Sequence, residues 1–136
     1  MNDHQARNVA TGLLVVAAGF QASLAAGAPW GAAAYGGGHA GVLPTSLRAS
    51  SAAAVVVYSG LAYVVWSGRL SPVMQRRGYA ALSGVFALGA VMNALSPSRV
   101  EKVIWTPVVA VLAYSLWRSR PAGVGDPAIV AGSPRS

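Results

Sequence analysis

Four long apolar runs constrain this chain more than any other feature. They cover residues 9–27, 49–66, 79–95 and 100–117, and no charged residue lies deep in any of them. Each run is about 17–20 residues long, and a helix that rises about 1.5 Å per residue would then match a hydrocarbon layer about 30 Å thick. Lipid offers no partners to backbone amides, and the runs do not alternate as barrel strands do. The sequence therefore predicts an all-α integral membrane protein, a bundle of four transmembrane helices.

The composition agrees with a membrane protein. Of the 136 residues 54% are hydrophobic and 10% are charged, whereas about 25% are charged in soluble domains. The absence of cysteine excludes disulfides, thiol catalysis and Cys-ligated clusters. The formal net charge of +7 does not indicate nucleic acid, because the basic residues flank the apolar runs, where topology and lipid headgroups require them. The expected partner is the lipid bilayer.

The basic residues also predict the orientation of the chain. Seven lie on the side that holds the N-terminus, residues 67–78 and the C-terminal tail: Arg7, Arg69, Arg76, Arg77, Arg118, Arg120 and Arg135. Three lie on the other side: Arg48, Arg99 and Lys102. By the positive-inside rule both termini are cytoplasmic. Trp30 and Trp105 would mark the outer membrane surface, and Trp66 and Trp117 the inner one.

The ends of the last span carry recognisable signals. Ser98 and Glu101 form a capping-box pattern that opens the fourth helix after Pro97. Pro107 should kink that helix, because proline has no N–H for the helical ladder. Residues 1–118 are interpreted as the transmembrane domain. Residues 119–136 are rich in Pro, Gly and Ser and are predicted to be a disordered cytoplasmic tail. No internal repeat is evident.

The first span has a competing interpretation. Arg7, the apolar run and the Ala26-Gly27-Ala28 sequence are typical of a signal peptide with a cleavage site. Pro29 should hinder cleavage, and the run is long enough to span, so we expect the segment to be retained; the intact mass of the purified protein tests this. The span also has Gly19, Ser23 and Gly27 at four-residue spacing, a stripe that favours close packing within the bundle or between protomers.

The connection between the first two spans is the least ordinary segment. Residues 29–44 read PWGAAAYGGGHAGVLP, without an Asp, Glu, Lys or Arg. Loops of this length are usually functional or disordered, and this one carries large apolar side chains that are better buried. These are Trp30, Tyr35, Val42 and Leu43. We predict an ordered extracytoplasmic cap over the bundle with a tight turn at residues 36–38, and we expect Arg48 to pair with Glu101. The alternative is a mobile loop with loosely adsorbed aromatic side chains.

Chemistry-bearing residues are scarce. Gly36, Gly38 and Gly41 match G-x-G-x-x-G by chance, because the dinucleotide-binding pattern also needs a preceding strand, a following helix in a βαβ unit and an acidic residue about 20 positions on, and the sequence has no such unit. His4 and His39 would lie on opposite sides of the membrane, so they cannot share a metal, and no span contains the histidines that a haem needs. No catalytic residue, metal or cofactor is therefore predicted. Ion-coupled transport usually needs an ionisable residue deep in a span, and none is present.

Polar and aromatic residues nevertheless concentrate in the outer half. The candidate binding cluster comprises Gln21, Trp30, Tyr35, His39, Arg48, Asn93, Glu101 and Trp105. Gln21 and Asn93 lie within spans. Such amides either join helices through hydrogen bonds worth about 1 kcal/mol each or line an outward-opening pocket.

A series of motifs supports this architecture. PWG, GGGHAGVLP and Arg48 are followed by Asn93, SPSRVEK and the W-x-P of Trp105 and Pro107. The series resembles that of small bacterial four-helix membrane proteins, which carry P-W-G, G-G, G-x-L-P and Arg, then N and S-x-x-E before the last span. The resemblance covers roughly residues 9–117. It implies a bacterial inner-membrane location and no particular reaction.

Three classes of function remain. The sequence favours a non-enzymatic membrane protein that binds a partner protein or a lipid through its outer loop. The first alternative is a small transporter or channel, oligomeric through the Gly19, Ser23 and Gly27 stripe. The second is a lipid-modifying enzyme in which Arg48 binds the headgroup, His39 is the base and Glu101 orients it.

Overall fold

The computed structural model describes residues 1–123, so most of the predicted tail at 119–136 lies outside the described residues. Within them every regular element is helical. The four main helices are α1 (Asp3–Ala26), α2 (Thr45–Ser67), α3 (Pro72–Leu95) and α4 (Thr106–Arg118). Two 3-10 turns, Gly31–Ala33 and Tyr35–Gly37, lie between α1 and α2, and a π-helical turn, Glu101–Trp105, leads into α4. The predicted all-helical architecture with four helices is confirmed.

Three of the four helices, α1, α2 and α3, are long and apolar enough to cross a membrane. The helix α4 has 13 residues, but it continues a helical segment that begins at residue 99 and passes through the π-helical turn. The observed helices extend beyond several predicted limits. In particular, α1 begins at Asp3 instead of residue 9, and α3 begins at Pro72 instead of residue 79.

These early starts are explained by capping. The backbone N–H of Gln5 donates to Asn2 Oδ1 at 2.8 Å, and the N–H of Asn2 donates to Gln5 Oε1 at 3.0 Å. At α3, Ser71 Oγ accepts from the N–H of Met74 at 3.3 Å, and proline occupies the first helical position. Such caps satisfy the free N–H groups of a first turn, so polar turns outside the apolar runs still become helical.

The helices form an antiparallel arrangement in which α1 packs against α2 and α4, and α3 packs against α4. At one end, Arg118 Nη2 donates to the Met1 carbonyl at 3.1 Å. The α2–α3 connection lies at this same end. The opposite end holds the α1–α2 loop and the α3–α4 turn, which are joined by hydrogen bonds. Within residues 1–123, the basic side chains near the N-terminus, in the α2–α3 connection and at the end of α4 therefore lie at the end opposite Arg48, Arg99 and Lys102.

The half of the bundle nearest the N-terminus has a continuous apolar core. Its buried members are Ala10, Leu14, Ala62, Val65, Tyr79, Leu112 and Leu116. A smaller cluster of Leu24, Ala34 and Leu43 attaches the loop to the helices. Outward-facing side chains are also apolar: Val56, Leu95 and Val103 are all more than 70% exposed. A surface of this kind fits lipid rather than water.

Two arginines cap helices other than their own. Arg7, near the start of α1, donates from Nε to the Val65 carbonyl at 3.3 Å and from Nη2 to the Trp66 carbonyl at 2.8 Å. Arg48, near the start of α2, donates from Nε to the Ala25 carbonyl at 3.0 Å. The last carbonyls of a helix have no partner within the helix, and a cation there also complements the helix dipole. The two antiparallel helices thus cap each other reciprocally.

A π-helical turn lies just before Pro107, where a kink was predicted. The N–H of Thr106 donates to the Glu101 carbonyl five residues earlier, and Pro107 follows within the first turn of α4. A π turn is one way for a helix to absorb an irregularity in its ladder. It also determines which way Glu101 and Trp105 face.

The stripe of small residues on α1 is only partly covered within the described protomer. Gly19 is exposed, and a Cβ placed there would meet no described atom within 4 Å. Ser23 Oγ donates to the Gly19 carbonyl at 3.0 Å, whereas Gly27 lies beside the guanidinium of Arg48 from α2. Contact between protomers along the stripe stays a prediction.

Candidate ligand cavity beneath the loop

A cavity of about 190 Å³ lies in the half of the bundle nearest the α1–α2 loop, beneath that loop. All four helices and the loop contribute to its lining. Its aromatic residues are Phe20, Tyr35, Tyr58, Phe86 and Trp105. Apart from the two tyrosines, its polar residues are Gln21, Asn93 and Glu101. Small and aliphatic residues complete it: Leu13, Ala17, Ala33, Ala34, Val108, Val109 and Leu112.

The loop is attached to the last helical segment by side-chain hydrogen bonds. Glu101 is only 6% exposed. Its Oε1 accepts from the backbone N–H of Gly36 at 2.9 Å, and its Oε2 accepts from the hydroxyl of Ser96. Ser98 Oγ donates to the Ala32 carbonyl at 2.7 Å, and Trp105 Nε1 donates to the Ala33 carbonyl at 2.9 Å. These contacts hold the loop across the cavity.

The other side of the loop is attached to α2. The hydroxyl oxygens of Tyr35 and Ser51 are hydrogen-bonded at 3.0 Å, and the Tyr35 hydroxyl donates to the Leu47 carbonyl at 3.4 Å. Ser51 is fully buried. The loop thus bridges α2 and the start of the last helical segment, two elements that lie on different sides of the cavity.

Glycine is required at two places in this loop. Gly31 is buried, and a Cβ there would lie 2.0 Å from the His39 carbonyl oxygen. Gly37 has a φ of +71°, and a Cβ there would lie 2.7 Å from Ser98 Cβ. The tight turn predicted at residues 36–38 is found at Gly36 and Gly37, which both have positive φ. The requirement for Gly31 was not predicted, because it arises from a contact with a residue eight positions away in sequence.

The structure distributes the eight predicted site residues unevenly. Five of them line the cavity: Gln21, Tyr35, Asn93, Glu101 and Trp105. The other three do not. Trp30 is half exposed and stacks on Phe20 with ring centroids 6.2 Å apart, His39 is exposed on the loop, and Arg48 caps α1. Trp105 also turns inward to the cavity, whereas Trp66 and Trp117 at the other end are more than 50% exposed.

The prediction that Arg48 pairs with Glu101 is wrong. Arg48 binds the Ala25 carbonyl, because the last carbonyls of α1 have no partner within the helix. Glu101 instead receives its hydrogen bonds from Gly36 and Ser96.

The predicted capping box forms only in part. The N–H of Glu101 donates to Ser98 Oγ at 3.3 Å, but the N–H of Ser98 donates to Ser96 Oγ at 3.1 Å. The carboxylate of Glu101 therefore does not accept from the Ser98 N–H as a capping box requires, and it accepts from the N–H of Gly36 in the loop instead.

Three aromatic cavity residues were missed by the sequence analysis. Phe20 contacts the rings of both Trp30 and Trp105, with centroids 6.2 and 4.6 Å away. Tyr58 of α2 stacks on Phe86 of α3 with centroids 6.5 Å apart. Within a span, an aromatic residue is indistinguishable from other apolar residues by hydropathy, so no sequence signal identified them.

One polar atom of the cavity residues lacks a partner. The Oε1 atom of Gln21 is buried, and no described residue donates a hydrogen bond to it. Leaving such an acceptor without a partner costs about 1–3 kcal/mol. The residues that line the cavity thus include two with acceptor oxygens, Gln21 and Glu101, among largely apolar side chains. Such a lining suits a ligand that donates hydrogen bonds.

The fold and the cavity define a class: a small helical protein with three span-length helices and a recess roofed by a loop. Across residues 1–123, no group of three His, Asp or Glu side chains is arranged to hold a metal ion. No protein-family model, curated protein or solved structure matches the chain. The class therefore rests on the fold and the cavity alone.

Proposed function

We propose that this chain is a small polytopic protein of the bacterial inner membrane that binds a lipid, without enzymatic activity, in the cavity beneath its extracytoplasmic loop. The observation that carries the proposal is the cavity of about 190 Å³ between all four helices. It combines aromatic walls with a few polar groups, the usual composition of a small-molecule site.

A lipid fits this cavity better than a folded protein does. The recess is smaller than the roughly 300–1,000 Å³ typical of sites that enclose a whole drug-sized ligand. It would therefore hold one part of a larger molecule while the rest stays in the bilayer. The apolar outer faces of the helices would keep that bilayer in direct contact with the protein.

The proposed orientation follows from the basic residues. Among the described residues, six basic side chains lie at the end that holds the N-terminus and three lie at the loop end, and the positive-inside rule places the more basic end in the cytoplasm. The loop and the cavity then face the outer leaflet. The whole segment 99–118 would be the fourth span, with the π-helical turn inside it.

The geometry favours neither alternative class. A channel or transporter would need a path through the inner half, where Leu14, Leu112 and Leu116 belong to a closed apolar cluster. A lipid-modifying enzyme would need His39, Arg48 and Glu101 together. Instead, Arg48 and Glu101 have separate partners and His39 is exposed.

Filling the cavity tests the proposal. Ala17 lines the cavity, so Ala17→Leu should displace a bound lipid by occupying its space. Ala53, on the exposed face of α2, provides the matched control Ala53→Leu. The protein is purified in a mild detergent, and lipid per protomer is measured by native mass spectrometry and by extraction.

We expect wild type and Ala53→Leu to retain lipid and Ala17→Leu to lose most of it. Retention of the same lipid by Ala17→Leu, or a wild type without lipid, would contradict the proposal. The same mass spectra test a protein partner and a second copy meeting along the Gly19, Ser23 and Gly27 stripe.

A further inference from the structure

We infer that the cavity recognises an alkylammonium group, through the Glu101 carboxylate, the Gln21 amide oxygen and the surrounding aromatic rings. This inference rests on the proposed function and specifies the chemistry that the cavity binds. An aminophospholipid headgroup and a free alkylamine both present this group, so the chemistry alone does not select between these two sources.

The first argument is the charge of Glu101. It is the one acidic side chain among the described residues of the cavity lining, which includes no Lys, Arg or His. Its two hydrogen-bond donors, the backbone N–H of Gly36 and the hydroxyl of Ser96, are both neutral. A carboxylate has about four lone-pair sites, so capacity remains for a donor in the cavity. A buried carboxylate without a counter-charge is costly, and an ammonium group would supply that charge.

The second argument is that nearby cations of the chain are placed elsewhere. Arg48 donates to the Ala25 carbonyl at the end of α1. Arg99 and Lys102, which flank Glu101 in sequence, are exposed and do not line the cavity. Within the described residues, then, the counter-charge for Glu101 is left to a ligand.

The third argument concerns the walls. Phe20 and Trp105 are tilted at 57° with ring centroids 4.6 Å apart, and Tyr58 and Phe86 are stacked. The negative faces of aromatic rings attract organic cations, and Gln21 Oε1 is a buried acceptor without a described donor. A metal ion would instead need several oxygen ligands, and no such group occurs among residues 1–123.

The test compares two ligands of equal chain length. Decylammonium is charged and decanol is neutral, and both are titrated into the full-length protein in nanodiscs. A variant in which Trp30, Trp66 and Trp117 are Phe leaves Trp105 as the fluorescent reporter inside the cavity. In this background we expect decylammonium to bind at least 10-fold more tightly than decanol.

Glu101→Gln removes the charge but keeps an oxygen that can accept from Gly36. We expect it to abolish the preference for decylammonium while leaving decanol affinity within about 2-fold. Asp3→Asn, at an exposed acid at the other end of the bundle, controls for the change in net charge and should keep the preference. An unchanged preference in Glu101→Gln would overturn the inference.

A second variant, Phe86→Leu, tests the inference independently if Glu101→Gln does not fold. Phe86→Leu keeps an apolar side chain in the cavity but removes the ring, so decylammonium affinity should fall several-fold relative to decanol affinity. A preference that persists in Phe86→Leu, when Glu101→Gln does not fold, would likewise overturn the inference.

The two sources of the ammonium group are separated by lipid analysis. Wild type is purified from bilayers that contain equal amounts of phosphatidylethanolamine and phosphatidylglycerol. Enrichment of phosphatidylethanolamine, lost in Glu101→Gln, assigns the site to a lipid headgroup. Decylammonium binding without such enrichment assigns it to a free amine. Loss of lipid in Ala17→Leu with no headgroup selection and no decylammonium preference would refute only this inference, whereas no effect of Ala17→Leu would refute the proposed function.

Discussion

Gly31 shows how a single missing side chain lets the loop close. Its N–H donates to the Gly41 carbonyl at 2.9 Å, and a Cβ at this position would lie 2.0 Å from the His39 carbonyl and 2.8 Å from the Gly41 carbonyl. Both obstacles are backbone atoms, which cannot rotate away as a side chain does. The two ends of the loop can approach only if residue 31 has no side chain.

Gly31→Ala should therefore destabilise the loop and the protein. The added methyl must push one backbone segment away, and overpacking of this kind costs about 1–3 kcal/mol. Gly38→Ala is the matched control, because its Cβ would meet no described atom within 4 Å and its backbone is in the right-handed helical region. Thermal unfolding in detergent, followed by near-UV circular dichroism, measures the difference. Equal stability of the two variants would show that the loop does not close as described.

At the scale of helices, the reciprocal capping of α1 and α2 reveals a sequence relation. Gly27 ends α1 and Gly68 ends α2, both in the left-handed conformation. Gly27 lies 20 residues after Arg7 of the same helix, and Gly68 lies 20 residues after Arg48. The guanidinium of the other helix lies beside each glycine. This repeated spacing was not predicted from the sequence. Only the arginine and the glycine recur in the two helices, and the residues between them do not repeat.

Removing the caps should weaken the helix pair. A hydrogen bond from a charged donor contributes about 1.5–3 kcal/mol, and Arg7 makes two such bonds to α2 while Arg48 makes one to α1. We expect Arg7→Met to destabilise the protein more than Arg48→Met. The measurement is the free energy of unfolding in mixed micelles.

The controls for this pair lie at the same ends of the bundle. Arg77→Met matches Arg7→Met, and Arg99→Met matches Arg48→Met, because both control arginines are exposed. Each control removes a charge from the same end of the bundle as the variant it matches, and each should change stability by less than about 0.5 kcal/mol. If the controls are as destabilising as the caps, net charge and not capping is responsible.

At the scale of the whole molecule, the sidedness of the bundle is the first property to test. The chain contains no cysteine, so a single introduced cysteine reports its own location. His39 lies exposed on the loop, and Met74 lies exposed in the first turn of α3 at the opposite end. Replacing His39 or Met74 by cysteine leaves the number of Lys and Arg residues unchanged.

We expect a membrane-impermeant maleimide to label His39→Cys in intact cells and Met74→Cys only after the membrane is opened. The reason is the excess of Lys and Arg at the end that holds both termini. Labelling is measured as a mass shift of the purified protein, with the cysteine-free chain as the blank. The reverse labelling pattern would show the opposite orientation in the membrane, with the cavity facing the cytoplasm.

Some site residues were predictable and others were not. Gln21, Asn93 and Glu101 attracted attention because polar side chains are rare in apolar segments, and all three line the cavity. Arg48, a basic residue just before the second apolar run, was also predicted to belong to the cluster, yet it caps a helix. A polar residue in or near a span must find a partner, but the sequence does not say whether that partner is backbone, side chain or ligand.

By itself, the sequence determined the number and approximate limits of the helices, because the length and continuity of apolar runs restrict the backbone to helical hydrogen bonding. Only the tertiary structure decided which side chains meet. The π-helical turn directs Glu101 and Trp105 inward, and the loop returns across the bundle to bind them. Local hydrogen bonding follows from neighbouring residues, whereas the cavity depends on the relative rotation of four helices, which hydropathy alone does not encode.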